Sequence, residues 1–168
     1  QDITIRTALL EHRFLCGHDS IAAELDTALW TNLFADTEAE FIAAKLDERS
    51  ERHRKQGGQR YMVEPNVKEG KGGLRDLQTL FWIAKYVNHV PDVADLVEKG
   101  TYTAEEFEEF VRAESFLLAV RCHMHLASGR AMDQLTFDIQ VEVAERMGYT
   151  DGKGRRAVHL LRPVGEHV

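Results

Sequence analysis

Residues 64 to 76 read Glu-Pro-Asn-Val-Lys-Glu-Gly-Lys-Gly-Gly-Leu-Arg-Asp, with three glycines and two lysines in one short irregular stretch. An apolar-periodic segment begins straight after it. Glycine allows positive φ and close main-chain approach. The first turn of a helix presents N–H donors and partial positive charge, which together suit a phosphate. Lys68, Lys71 and Arg75 add cations at the same place, and Gly72 and Gly73 would let the main chain come close to a ligand. The chemistry this implies is anion binding, with a nucleotide as the natural anion; the plain alternative is a solvated turn. Asp76 reads either as part of that site or as a first-turn carboxylate that favours the helix dipole and pairs locally with Arg75. Glu64 and Asn66 are expected to fix the loop by hydrogen bonds. The string is not a P-loop, because Leu74 and Arg75 follow Gly73 where Lys-Ser/Thr is required, and its glycine spacing is not that of a dinucleotide fingerprint.

A second polar set lies further along. Glu114, Arg121 and His125 fall at i, i+7 and i+11 and share one side of a long helix, with Arg130 and Asp133 just beyond. They would line a ligand cleft or brace neighbouring helices. His123 and His125 diverge on a helix and do not make a metal pair, and no metal site is expected. The run Arg49 to Lys55 reads as a solvated, basic helix end, or as a face turned to an acidic or phosphate-bearing partner surface.

Helical periodicity supplies the frame for these residues. Ile5, Leu9 and Phe14 mark a helix over 2 to 15 that Gly17 would end. Ile21, Leu25, Leu29 and Leu33 mark a second over 19 to 34. Thr37 and Glu40 have capping-box spacing before a third helix that buries Phe41, Ile42 and Leu46 and stops at Gly57-Gly58. Leu74, Leu77, Phe81 and Ala84 stripe a fourth. Pro91 and Gly100 bracket a short one. Thr103 and Glu106 make a second capping box, opening the longest helix over about 104 to 128, with Ala113, Phe116, Leu117, Val120, Met124 and Ala127 as its apolar face. A last helix covers 138 to 147, closed by Gly148. Only Tyr61-Met62-Val63 suggests an extended piece. About six helices with short connections, and a Gly/Lys-rich loop (57–74) before the fourth, predict an all-α bundle. Residues 1–150 are expected to form one helical domain, and 151–168 a polar tail, disordered or altered.

The string from Glu64 to Thr79, with Trp82-Ile83-Ala84-Lys85, closely resembles the bacterial PII uridylyltransferase/uridylyl-removing enzyme family. The resemblance extends upstream to Thr4-Ile5-Arg6-Thr7-Ala8-Leu9-Leu10-Glu11 and Arg13-Phe14-Leu15. Downstream it takes in Val120-Arg121-Cys122, His125, Gly129-Arg130, Asp133-Gln134-Leu135 and Phe137-Asp138-Ile139-Gln140. It implies the helical domain that follows a nucleotidyltransferase core and completes the nucleotide site. Such an enzyme transfers UMP from UTP to a tyrosine of the PII signal protein and removes it at a separate metal-dependent hydrolase domain. Mg2+ and UTP belong to that parent enzyme, and no cofactor is assigned to this segment. The core's Gly-x-Gly-Arg-x-Glu and Asp-x-Asp carboxylates do not occur in this chain, so it carries no catalytic residue of its own. On the same resemblance Lys68, Lys71, Gly72, Gly73, Arg75 and Asp76 support the nucleotide. Glu64, Asn66, Glu114, Arg121, His125 and Arg130 form a possible outer set. A shorter version of the motif is similar to glutamine synthetase adenylyltransferase, and a non-enzymatic helical interaction module is the third reading.

Bulk properties agree with that frame. The 168 residues are 43% hydrophobic and 29% charged, ordinary for a globular protein. A net charge of −7 argues against a nucleic-acid-binding surface. Two cysteines, Cys16 and Cys122, make no disulfide framework, so a reducing cytoplasm is expected. No apolar run approaches the ~20 residues of a membrane span. The chain opens on Gln1-Asp2 without a methionine and looks like part of a longer protein.

Overall fold

The computed structural model describes residues 2–57 and 63–149. Tyr61 and Met62 of the suggested extended piece, part of the 57–74 loop, and the tail 151–168 lie outside the described residues. The protein is all-α: helices α1 (Ile3–Leu10), α2 (Asp19–Ala28), α3 (Glu38–Lys55), α4 (Leu74–Asn88), α5 (Asp95–Glu98), α6 (Ala104–Ser128) and α7 (Phe137–Arg146), with a π-helical turn over Leu29–Leu33. Among the described residues the only β pairing is one antiparallel bridge, Asn66 with Gln134. No described helix is long and apolar enough to cross a membrane. The helices gather into two compact units, 1–50 with 78–108 and 51–77 with 109 onward.

The first unit is built on aromatic rings. Phe34, Phe41 and Tyr86 are fully buried. Phe41 and Tyr86 stack with centroids 3.9 Å apart, and Phe34 tilts against Tyr86 at 5.0 Å. A buried phenol needs a partner, and Tyr86 Oη finds Thr37 Oγ1 at 2.7 Å. That hydroxyl donates in turn to the Phe34 carbonyl (2.9 Å). The capping box expected of Thr37 and Glu40 is therefore not made: Thr37 is taken by Tyr86, and Glu40 pairs with Arg6 at 3.3 Å. Lys45 replaces Leu46 on the buried side of α3. Its Nζ lies 4.7 Å from the Trp82 ring centroid and bonds Glu48 at 2.8 Å, so the aliphatic stem is buried while the charge is satisfied. Leu46 and, on α2, Ile21 and Leu25 are exposed. A smaller cluster of Ala84, Val90 and Leu96 seats α5.

Helix ends explain the remaining differences from expectation. α1 stops at Leu10, short of Gly17, with Glu11 as its C-cap, and the Glu11 carboxylate accepts from Lys85 Nζ at 2.8 Å. The second expected helix divides into α2 and the π-helical turn. At α6 the expected box is complete. Thr103 N–H donates to Glu106 Oε2 (2.9 Å) and Glu106 N–H to Thr103 Oγ1 (3.1 Å).

The second unit has an aliphatic core of Val67, Val120, Met124, Leu135, Ile139 and Val143. Val67 anchors the glycine loop to the segment between α6 and α7. Val67 N–H donates to the Asp133 carbonyl, and Leu135 N–H to the Pro65 carbonyl, each at 2.9 Å.

The aromatic stack yields an ordered expectation. Phe41→Ala should cost about 3–5 kcal/mol through the cavity it leaves. Tyr86→Phe should cost only about 1 kcal/mol, since Thr37 keeps its bond to Phe34. Urea unfolding of both variants checks this; a Tyr86→Phe cost equal to that of Phe41→Ala would contradict the packing account.

Candidate functional site

The glycine loop is a folded object that holds itself together. Asn66 Oδ1 accepts the N–H groups of Lys68 (3.1 Å) and Glu69 (2.7 Å), an Asx turn that starts the loop. Gly70 N–H donates to the Asn66 carbonyl and Gly73 N–H to that of Gly70, both at 3.0 Å. The glycines have local reasons to be there. A Cβ at Gly70 would lie 2.5 Å from the Asn66 carbonyl oxygen, and one at Gly73 would lie 2.8 Å from that of Val67. Gly72 has φ +73°, which an L side chain rarely adopts. Glu64 braces the far side, accepting from the Phe137 N–H at the start of α7 (2.8 Å).

The amides at the start of α4 are already committed. Leu74 N–H donates to the Val67 carbonyl (3.0 Å), Arg75 N–H to Lys68 (2.9 Å) and Asp76 N–H to Gly73 (2.9 Å). Gly72 N–H donates to Asp76 Oδ2 at 2.9 Å. The expectation that this helix start offers unpaired donors is thus corrected: the loop's own carbonyls and the Asp76 carboxylate fill the positions an anion would take. The anion-attracting groups that remain are the side chains.

Asp76 is the centre of this arrangement. Besides Gly72 it accepts from Arg52 Nη2 and faces His53 Nε2 at 2.9 Å. Arg52 and His53, expected on a solvated helix end, are instead largely buried. The helical phase gave a signal: Phe41, Lys45 and His53 are spaced by four and eight residues, so the buried side of α3 continues into its basic last turns. Burial pushes the Asp76 carboxyl up, but the Gly72 amide, Arg52 and His53 outweigh that and hold it below its ordinary 3.8.

The other expected residues divide. Lys68 Nζ lies 3.7 Å from Glu69 Oε1 and 3.8 Å from Asp133 Oδ2, and Arg75 Nε lies 3.8 Å from Glu69 Oε1. Lys71 sits on the exposed turn. Arg121 Nε donates to Asp133 Oδ1 at 2.6 Å, and His125 Nε2 lies 3.7 Å from the same oxygen. Arg121 and His125 therefore meet Lys68 through Asp133, a bracing network that joins the loop to α6. Burial raises the Asp133 carboxyl, yet the Arg121 hydrogen bond and the charges of Arg121, Lys68 and His125 hold it below its ordinary value. Glu114 is half-buried on α6 outside this network. Arg130 is exposed and directs Nη2 to Met132 Sδ at 3.9 Å. Glu69 was not among the expected site residues, although it faces Arg52, Lys68 and Arg75; sequence proximity to two of them was the available signal.

Both aspartates bind a proton less readily folded than unfolded. Their stabilisation is complete above about pH 4 and is lost as pH falls through the depressed folded values. In an NMR pH titration the Gly72 amide resonance should hold steady down to that point and move only below it, and Asp76→Asn should abolish the movement. A midpoint above 3.8 would contradict the arrangement.

A family model described as GlnD PII-uridylyltransferase matches residues 40–167, a span that includes the whole glycine loop and its partners. The chain is 69% identical over 161 residues to the bifunctional uridylyltransferase/uridylyl-removing enzyme of Cereibacter sphaeroides, covering 96% of this chain and 17% of that protein. It is 64% identical over 160 residues to the enzyme of the same name from Ruegeria pomeroyi, covering 95% and 18%. For that of Novosphingobium aromaticivorans the identity is 54% over 157 residues, covering 94% and 17%. The chain thus spans less than a fifth of the length of these relatives. No solved structure matches it. With the match running through the loop, its Asp76 anchor and the α6 brace, the chain belongs to the GlnD PII-uridylyltransferase family.

Proposed function

We propose that this chain is the helical part of a uridylyltransferase that transfers UMP from UTP to a tyrosine of the PII signal protein. In that reading residues 1–150 follow a nucleotidyltransferase core and close its nucleotide site. Removal of the uridylyl group belongs to a separate metal-dependent hydrolase domain of the same parent, and the setting is the cytoplasm. The observation that carries the reading is the loop at 64–76, a self-braced main chain that presents Lys68 and Arg75 on either side of Glu69, with Lys71 on its exposed turn. Family membership supports it, as does the name that the relatives carry.

The division of labour follows from chemistry. UMP transfer needs divalent metal, Mg2+, held by clustered carboxylates near the α-phosphate, which supplies Lewis-acid stabilisation of the phosphoryl charge. The two aspartates of the loop and its brace, Asp76 and Asp133, do not fit that task. Asp76 is consumed by Arg52, His53 and Gly72, and Asp133 by Arg121. In this reading the metal is held by the core of the parent enzyme. What this segment contributes is positioning and charge: lysine and arginine side chains on a rigid loop neutralise phosphate oxygens without reorganising at the moment of reaction.

The test uses the full-length enzyme. Lys68→Ala with Arg75→Ala should lower kcat/KM for UTP at least about tenfold, the size expected when charge-assisted contacts are lost, with PII affinity retained. Unchanged transfer kinetics with weakened PII binding would favour a protein-interaction module instead. Preference for ATP over UTP would favour the adenylyltransferase reading.

A further inference from the structure

Three cations converge on one carboxylate in the second unit, and none of them makes a close bond to it. Glu69 Oε2 lies 3.7 Å from Arg52 Nε, while Glu69 Oε1 lies 3.7 Å from Lys68 Nζ and 3.8 Å from Arg75 Nε. Charge-assisted N–H···O bonds are normally about 2.7–2.9 Å long. The separation matters most at Arg52. Its side chain is only 10% exposed, its Nη2 is held by Asp76, and its buried Nε has no hydrogen-bond acceptor. A buried guanidinium donor left unmade is costly. A single carboxylate, with two oxygens in one plane, does not close on all three cations. A phosphate group, with more oxygens directed tetrahedrally, is the shape that would.

The loop is built so that Glu69 can yield. Its main chain is pinned, since the Glu69 N–H donates to Asn66 Oδ1 at 2.7 Å. Its side chain is 28% exposed and needs only a rotamer change to leave the cluster. Arg52 stays in place when it moves, because Asp76 holds it by a hydrogen bond, and Lys68 keeps Asp133 as a neighbouring charge 3.8 Å away. We propose that Arg52, Lys68 and Arg75 form a phosphate subsite in which Glu69 is the resident counter-ion, displaced when a phosphate of a nucleoside triphosphate enters. This rests on the nucleotide-supporting role of the loop and adds two residues to it: Arg52 as a ligand and Glu69 as a gate. Glu69 keeps the trio together in the empty state, and it imposes a threshold that only a multiply charged anion overcomes.

The probe is inorganic tripolyphosphate without metal, titrated into the 15N-labelled chain while the arginine Nε–Hε resonances are followed by NMR. The Arg52 and Arg75 signals should shift together and saturate. Glu69→Gln, nearly isosteric and without charge, should tighten binding at least about fivefold, since it removes one negative charge close to the anion. Lys68→Gln, at a partly exposed position, should weaken binding in both the native and Glu69→Gln backgrounds. The proposal is overturned if Glu69→Gln leaves binding unchanged or weakens it, or if neither protein gives a saturable shift. Its failure separates from that of the transferase reading. UTP kinetics that depend on Lys68 and Arg75 while Glu69→Gln is neutral remove the gate alone. Tripolyphosphate binding that obeys these rules while UTP kinetics ignore Lys68 and Arg75 removes the transferase role and leaves the subsite.

Discussion

The contact of the Asp76 carboxylate with the Gly72 amide is the constraint from which the loop's geometry follows. It places a fixed negative charge at the start of α4, where the helix dipole favours one. It also ties the turn at Gly70–Gly73 to the helix that follows it. Arg52 and His53 hold that carboxylate from the other side, so the end of α3 and the start of α4 are locked by a single anion. Breaking one partner of such a buried cluster leaves uncompensated charge, which costs more than the intact cluster contributes. The loop is consequently preorganised, and its cations are presented by main chain that is already satisfied.

That arrangement changes where an anion would be bound. A helix start with free amides binds phosphate through the backbone, as glycine-rich nucleotide loops do. Here the backbone has been closed by its own carbonyls, and the glycines serve the loop's internal packing at Gly70 and Gly73 and its positive φ at Gly72. What remains open to an anion there is side chains, which are longer, more adjustable and more sensitive to salt than backbone amides. Asp133 plays the matching part on α6, linking Lys68 to Arg121 and His125 and joining the loop to the aliphatic core through its carbonyl bond to Val67.

Much of this was legible in the residues. Asn66 and Glu64 read as loop-fixing residues, and both side-chain oxygens accept N–H groups: Asn66 from Lys68 and Glu69 nearby, as asparagine beside a turn does, and Glu64 from the distant Phe137. Asp76 was open to a first-turn reading, and its contact with the Gly72 amide has that geometry. The long helix from 104 to 128 followed from its cap and its period. Arg52 and His53 depart from the solvated reading, because a run of basic residues looks solvated until a carboxylate 23 or 24 residues away is seen to meet it.

The sequence by itself determined where the helices lie to within a few residues of most of their ends, the cap at Thr103 and Glu106, and the family, since these depend on spacing and on neighbours within a few residues. Only the tertiary structure decided which polar groups pair. Thr37 and Glu40 have the right spacing for a box, but Tyr86, 49 positions away, takes the hydroxyl and Arg6 takes the carboxylate. In the same way the amides before α4 look available in the linear string and are spent in the folded loop. Local spacing says what a group can do; the partner it meets depends on which distant side chain arrives at bonding distance.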